Sequence, residues 1–130
     1  MIDVSFFDDP SKAPRSREEV RFNQLGIYVH EGGRRIAVGF DITPFIERPS
    51  IEVLVKNILG MPAGSLTVIE TLDANFSLTM HLRDSEPTDV YEVSATLYYA
   101  TPETGRTDVH TLTGEIDVST PGEQLSLIHI

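Results

Sequence analysis

Residues 90–100 read VYEVSATLYYA, and residues 36–42, IAVGFDI, and 76–82, FSLTMHL, keep the same beat. Tyr91, Val93, Ala95, Leu97 and Tyr99 share one parity, as do Ile36, Val38, Phe40 and Ile42, and again Phe76, Leu78, Met80 and Leu82. Successive side chains of a strand point to opposite faces, so each run writes one apolar and one wet face. Many short runs of this kind, from Ile36 to Val118, predict an antiparallel sandwich around one core.

Working outward, Val20 and Phe22 are in one phase and Leu25, Ile27 and Val29 in the other, a slip that predicts a bulge in the first strand. Glu31, Gly32, Gly33 and Arg34 form a turn that returns the chain as Arg35–Ile42. Thr43 before Pro44 resembles a helix cap with proline at the first helical position, and Pro49 forbids continuation, so one short helical turn is expected near residues 44–48. Ile51–Leu59 is rich in branched residues and reads as a central strand; residues 60–64 turn it into Leu66–Leu72. Asp73, Ala74 and Asn75 turn the chain into Phe76–Leu82, a polar loop follows, and a hairpin loop at 101–106 joins Val90–Ala100 to Thr107–Val118. The sum is about seven strands, one every ten or so residues.

Residues 20–120 are therefore the expected β-sandwich domain. Residues 1–19 are an N-terminal extension, with room for a first strand at its apolar opening of Ile2, Val4, Phe6 and Phe7. Ser16 and Glu19 have capping-box spacing, but no apolar stripe at helical period follows, so the stretch reads as linker. Residues 121–130 are an apolar C-terminal tail with three readings: a final strand closing a sheet edge, a strand offered to another copy, or a non-native appendage.

Composition narrows the function classes. Twenty acids against ten bases leave a formal net charge of -10 in 130 residues, which repels phosphate backbones and argues against nucleic acid and anionic membrane as partners. The chain has no cysteine, hence no disulfide, thiolate metal site or thiol nucleophile. Asp3, Asp8 and Asp9 stand where a signal peptide needs a basic start and apolar centre, so a cytoplasmic location is favoured.

Leu82, Pro87, Asp89, Tyr91, Val93 and Ala95, followed by a glycine-containing hairpin and a last strand, resemble the closing half of a fibronectin type III or related immunoglobulin-like domain. The resemblance implies an immunoglobulin-like sandwich in which Tyr91, early in the penultimate strand, bonds back to the preceding corner. It covers about a quarter of the chain. The chain departs from the pattern in lacking tryptophan and a cysteine pair.

Residues able to carry chemistry are scattered. None of the four histidines, at 30, 81, 110 and 129, has the spacing of a metal motif; His81 points off the core face, and His110 shares the phase of Leu112, Ile116 and Val118. Ser65 follows a glycine but sits in no nucleophile elbow. Asn75, Phe76 and Ser77 spell a glycosylation sequon. A hard cation would draw on acids near strand ends, namely Asp41, Asp73, Asp84, Glu86 and Asp89, although turns favour the same residues for local bonding. The protruding hairpins carry the interaction candidates Arg34, Arg35, Glu103 and Arg106. The expectation is a non-catalytic structural or protein-interaction module with no cofactor, binding a protein partner or itself through a sheet edge. The rival is a calcium- or carbohydrate-binding accessory module using acidic loop ends.

Overall fold

Inward residues from two antiparallel sheets meet in one core. The computed structural model describes residues 13–128, with side chains through Gln124. Its strands are β1 (Phe22–Val29), β2 (Arg35–Ile42), β3 (Ser50–Asn57), β4 (Pro62–Val68), β5 (Asn75–His81), β6 (Val90–Thr101), β7 (Gly105–Asp117) and β8 (Gly122–Ile128). One sheet runs β5-β2-β1-β8 and the other β4-β3-β6-β7, every neighbouring pair antiparallel. Edges β4 and β5 meet along one flank, edges β7 and β8 along the other.

Alternation supplies the core. Leu25, Ile27, Val29, Ile36, Val38, Phe40 and Ile42 come from one sheet and Ile51, Val53, Val55, Tyr91, Val93, Ala95 and Leu97 from the other, all at most 2% exposed. Phe22 stacks on Phe40, which meets Phe76 at 4.9 Å between ring centroids. The phase slip in β1 is a register shift between Phe22 and Gln24. Beside it, the Phe22 amide donates to Nδ1 of His110 on β7 at 3.0 Å, so the half-buried histidine ties one sheet to the other.

Three sequence expectations need correction. Among the described residues the strands number eight, not seven, because residues 122–128 pair with β1. No helical turn forms at 44–48: Phe45 makes an isolated parallel bridge to Arg15, whose amide donates to Pro44 O (2.8 Å) and whose carbonyl accepts from Ile46 N (3.0 Å). Those backbone groups are spent on the N-terminal segment rather than on a helix. Among the described residues the helical element is a 3-10 turn, Arg17–Glu19. The β3–β4 turn also comes early, because the Asn57 side chain accepts from Leu59 N (3.0 Å) and Met61 N (2.9 Å) while Gly60 takes φ +83°; β4 therefore starts at Pro62. The apolar opening at residues 2–7 and His129 lie outside the described residues.

Leu97 is fully buried and Leu54, on the wet face of β3, is 40% exposed. Leu97→Ala is expected to cost about 2–5 kcal/mol of unfolding free energy in urea titration, and Leu54→Ala under about 1 kcal/mol. Equal losses would mean that the assigned faces are wrong.

Candidate functional site

A buried knot at one end of the sandwich concentrates polar chemistry, and a groove along the β4–β5 flank offers open space. The knot centres on Asp84, whose side chain is fully buried. Arg34 Nη2 donates to Asp84 Oδ1 (2.8 Å) and to Leu82 O (2.8 Å), Asn57 Nδ2 donates to Asp84 Oδ2 (2.9 Å) and Glu86 O (3.0 Å), and the Tyr91 hydroxyl donates to Asp84 Oδ2 (2.9 Å). That hydroxyl also accepts from Arg34 Nη1 at 2.9 Å and from Thr88 N at 3.3 Å. Tyr91 thus bonds back to the corner before its strand, through the Asp84 side chain and the Thr88 amide.

Gly33 brings Arg34 to the knot. At φ +68° it takes a conformation that L side chains avoid, and an added Cβ would lie 2.6 Å from Val118 O. Burial by itself would raise the Asp84 carboxyl, but hydrogen bonds from Arg34, Asn57 and Tyr91 more than reverse this and hold it below its ordinary 3.8. The Asp84 bond in turn raises the Arg34 guanidinium, against the pull of burial. Among the described residues no buried side-chain nitrogen or oxygen lacks a partner, so the knot is saturated.

The groove, of about 750 Å³, runs between the two sheets where β4 faces β5. Leu66 and Met80 give it an apolar wall, and Lys56, His81 and Arg83 stand around it with no Asp or Glu in the lining. Gly64 allows the close approach of the two edges, since a Cβ there would lie 3.0 Å from His81 O and 3.1 Å from Met80 Cε. Arg83 N donates to Ala63 O at 2.7 Å and zips the flank at this point.

The sequence candidates divide between the two ends. Asp41 pairs in register with Asn75 at one end of the β2–β5 ladder, and Asp73 lies in the turn just before it. Asp84, Glu86 and Asp89 belong to the corner at the other end, where Arg35 pairs with His81. Six residues of strand put roughly 20 Å between the groups. Among the described residues no three His, Cys, Asp or Glu side chains gather as a metal site would need.

Of the basic candidates, Arg34 turns inward to the knot, while Arg35 is exposed. Arg106 lies over the Tyr98 ring at 4.1 Å and binds Asp108 (2.7 Å) and Glu52 (3.0 Å). Its bonds to Asp108 and then Glu52 raise the guanidinium above its ordinary value. Glu103 is exposed at the tip of the β6–β7 hairpin, at the opposite end from Arg34 and Arg35.

A second cleft, near 560 Å³, lies at the Glu103 end between Arg17, Glu47, Tyr98 and Tyr99. Both tyrosines are buried, and Arg17 covers Tyr99 as Arg106 covers Tyr98, so neither ring stands open for a sugar to stack on. Burial, reinforced by Glu47, pushes the Tyr99 hydroxyl up to about 12. Sequence reading missed Lys56, Leu66, Met80 and Arg83 as a set; the available signal was that neither residues 60–69 nor residues 74–82 hold a charged side chain.

No protein-family model matches the chain, and no curated protein matches it. Among solved structures it is similar to the beta-glucuronidase of Parabacteroides merdae, with TM-score 0.51 and 16% identity over 76% of this chain. The match spans 14% of that protein's length, and it shows a shared fold.

Because Asp84 titrates below its ordinary value when folded, its contribution is whole above the unfolded carboxyl's pKa and fades as pH falls through the lower folded value. Asp84→Ala is expected to cost about 3 kcal/mol in urea unfolding at pH 7, the gap to the parent narrowing below about pH 4. A gap of constant size down to pH 2 would show that the charge is not what the knot uses.

Proposed function

We propose that this chain is a non-catalytic protein-interaction module on the fibronectin type III plan and that its working surface is the β4–β5 flank. The fold assignment is supported by the partition of strands: β4 joins β3 rather than β5, unlike the constant-type immunoglobulin arrangement, in which the fourth strand joins the fifth. Tyr91, anchored to the corner before β6, supports it too, and β8 is an addition on the free side of β1. A non-catalytic role fits the Asp84 knot, the most buried ionisable cluster described, whose bonds are all made within the sandwich.

The observation that carries the interaction reading is the contrast between flanks. Natural sheets blunt their edges with charges, prolines, bulges or cover. On the far flank β7 carries Arg106, Asp108, Glu115 and Asp117, and β8 carries Glu123. On the near flank β4 (PAGSLTV) and β5 (NFSLTMH) hold no Asp, Glu, Lys or Arg, and between them lies the groove.

Selection from a library of short random peptides is expected to give binders whose amide-shift perturbations fall on Leu66, Ser77, Thr79 and Met80. Binders mapping only to the hairpin tips, or no binders at all, would overturn the assignment.

A further inference from the structure

Backbone parity identifies which edge is open. Leu82 N donates to Arg34 O (2.9 Å) just beyond one end of the β2–β5 ladder, and Ile42 N donates to Ala74 O (2.7 Å) at the other. Hydrogen-bonded pairs recur at every second residue of an antiparallel ladder. Phe76, Leu78 and Met80 therefore exchange bonds with Phe40, Val38 and Ile36, and the main-chain groups of Asn75, Ser77, Thr79 and His81 are directed away from β2. β5 ends its sheet. At the His81 end β4 closes over this row, with Gly64 against His81 O and Arg83 N bonded to Ala63 O, so the open stretch is that of Asn75, Ser77 and Thr79, which no ladder partner covers.

The sign of the surroundings selects the occupant. In a chain of net charge -10, this groove is lined by Lys56, Arg83 and His81 without an acid. The ion pairs among the described residues belong to Arg17, Arg34 and Arg106, so Arg83 is in none of them, and Lys56, although its register partner on β6 is Glu92, makes no direct ion pair with it.

Resting on the interaction reading above, we infer that the flank receives an extended, carboxylate-bearing segment of a partner protein, added as a strand to the outer edge of β5. Its alternate side chains enter the groove against Leu66 and Met80, and its acids meet Lys56 and Arg83. Main-chain bonds from a strand added to an edge supply affinity, and the alternate side chains supply selectivity.

The test uses two synthetic peptides of alternating Val and Thr, one carrying Glu and one Lys at the same positions, titrated by fluorescence anisotropy. The parent chain is expected to bind the Glu peptide about tenfold more tightly, as two charge pairs reversed in sign would give. The Lys56→Glu, Arg83→Glu double variant should reverse that order. Thr79→Pro removes a donor pointing away from β2 and should abolish binding of both peptides while circular dichroism and the melting midpoint show the fold kept. Ser77→Pro, by the same parity, replaces it if the first variant melts.

Equal affinity for both peptides, lost in the proline variant, would overturn the acidic assignment and leave the flank as an interaction surface. Binding that survives the proline would overturn strand addition. If library selection yields flank binders while neither peptide binds, this inference fails and the interaction reading stands. A parent chain that sediments as a dimer, dissociated by the proline, would make a second copy the occupant instead.

Discussion

A carboxylate with a fully buried side chain, at Asp84, is the constraint around which one end of this sandwich is arranged. Stripping a charge of water costs several kcal/mol unless the site returns equivalent bonds. Here the bonds come from three segments well separated from one another in sequence: the β1–β2 hairpin through Arg34, the end of β3 through Asn57, and the start of β6 through Tyr91. Both sheets contribute, so the knot bonds one to the other at this end of the sandwich. Replacing such a cluster by well-packed hydrophobic side chains is often neutral or stabilising, whereas removing one partner leaves a charge buried and unpaired and is the costly change.

What could be read in advance follows the same division between pattern and partnership. Period-two alternation is local, and it placed Ile36–Ile42, Phe76–Met80 and Tyr91–Leu97 on the inward faces where they are found. The slip between Phe22 and Leu25 was equally local and became a register shift. The turn at Asn57 escaped because its cause is a side chain accepting two amides further along the chain. The absent helix at 44–48 escaped because a segment some thirty residues earlier claims the backbone of Pro44 and Ile46. At the site, Arg34 was legible as a cation in a turn, but its inward aim depends on Gly33 packing under Val118, a contact across most of the chain. The acids Asp41, Asp73, Asp84, Glu86 and Asp89 all sit near strand ends as turn chemistry favours, yet which end each occupies is a matter of register.

The two flanks show how edge chemistry and topology interact. β1 would be an edge were it not for β8, which pairs along it from Val29 to Gln24. β7 is long and carries charges, so a foreign strand laid on it would have to bury them. β4 and β5 have seven residues each, and Pro62 blunts the start of β4, but their lack of charge removes the commoner safeguard.

Alternation links the knot to the groove. In the stretch after β5, Leu82 and Asp84 are buried, so Arg83 between them must face outward, and it stands exposed beside the groove. Its amide meanwhile donates to Ala63 O, holding the start of β4 against the end of β5. The rhythm that buries the acid at position 84 therefore delivers a cation at position 83 to the flank. Asn57 repeats the arrangement on β3, where its buried amide serves Asp84 and the preceding Lys56 points outward to line the same groove. Both cations are thus held in place by neighbours locked into the knot, and a ligand meeting them finds charges whose backbone positions are already set.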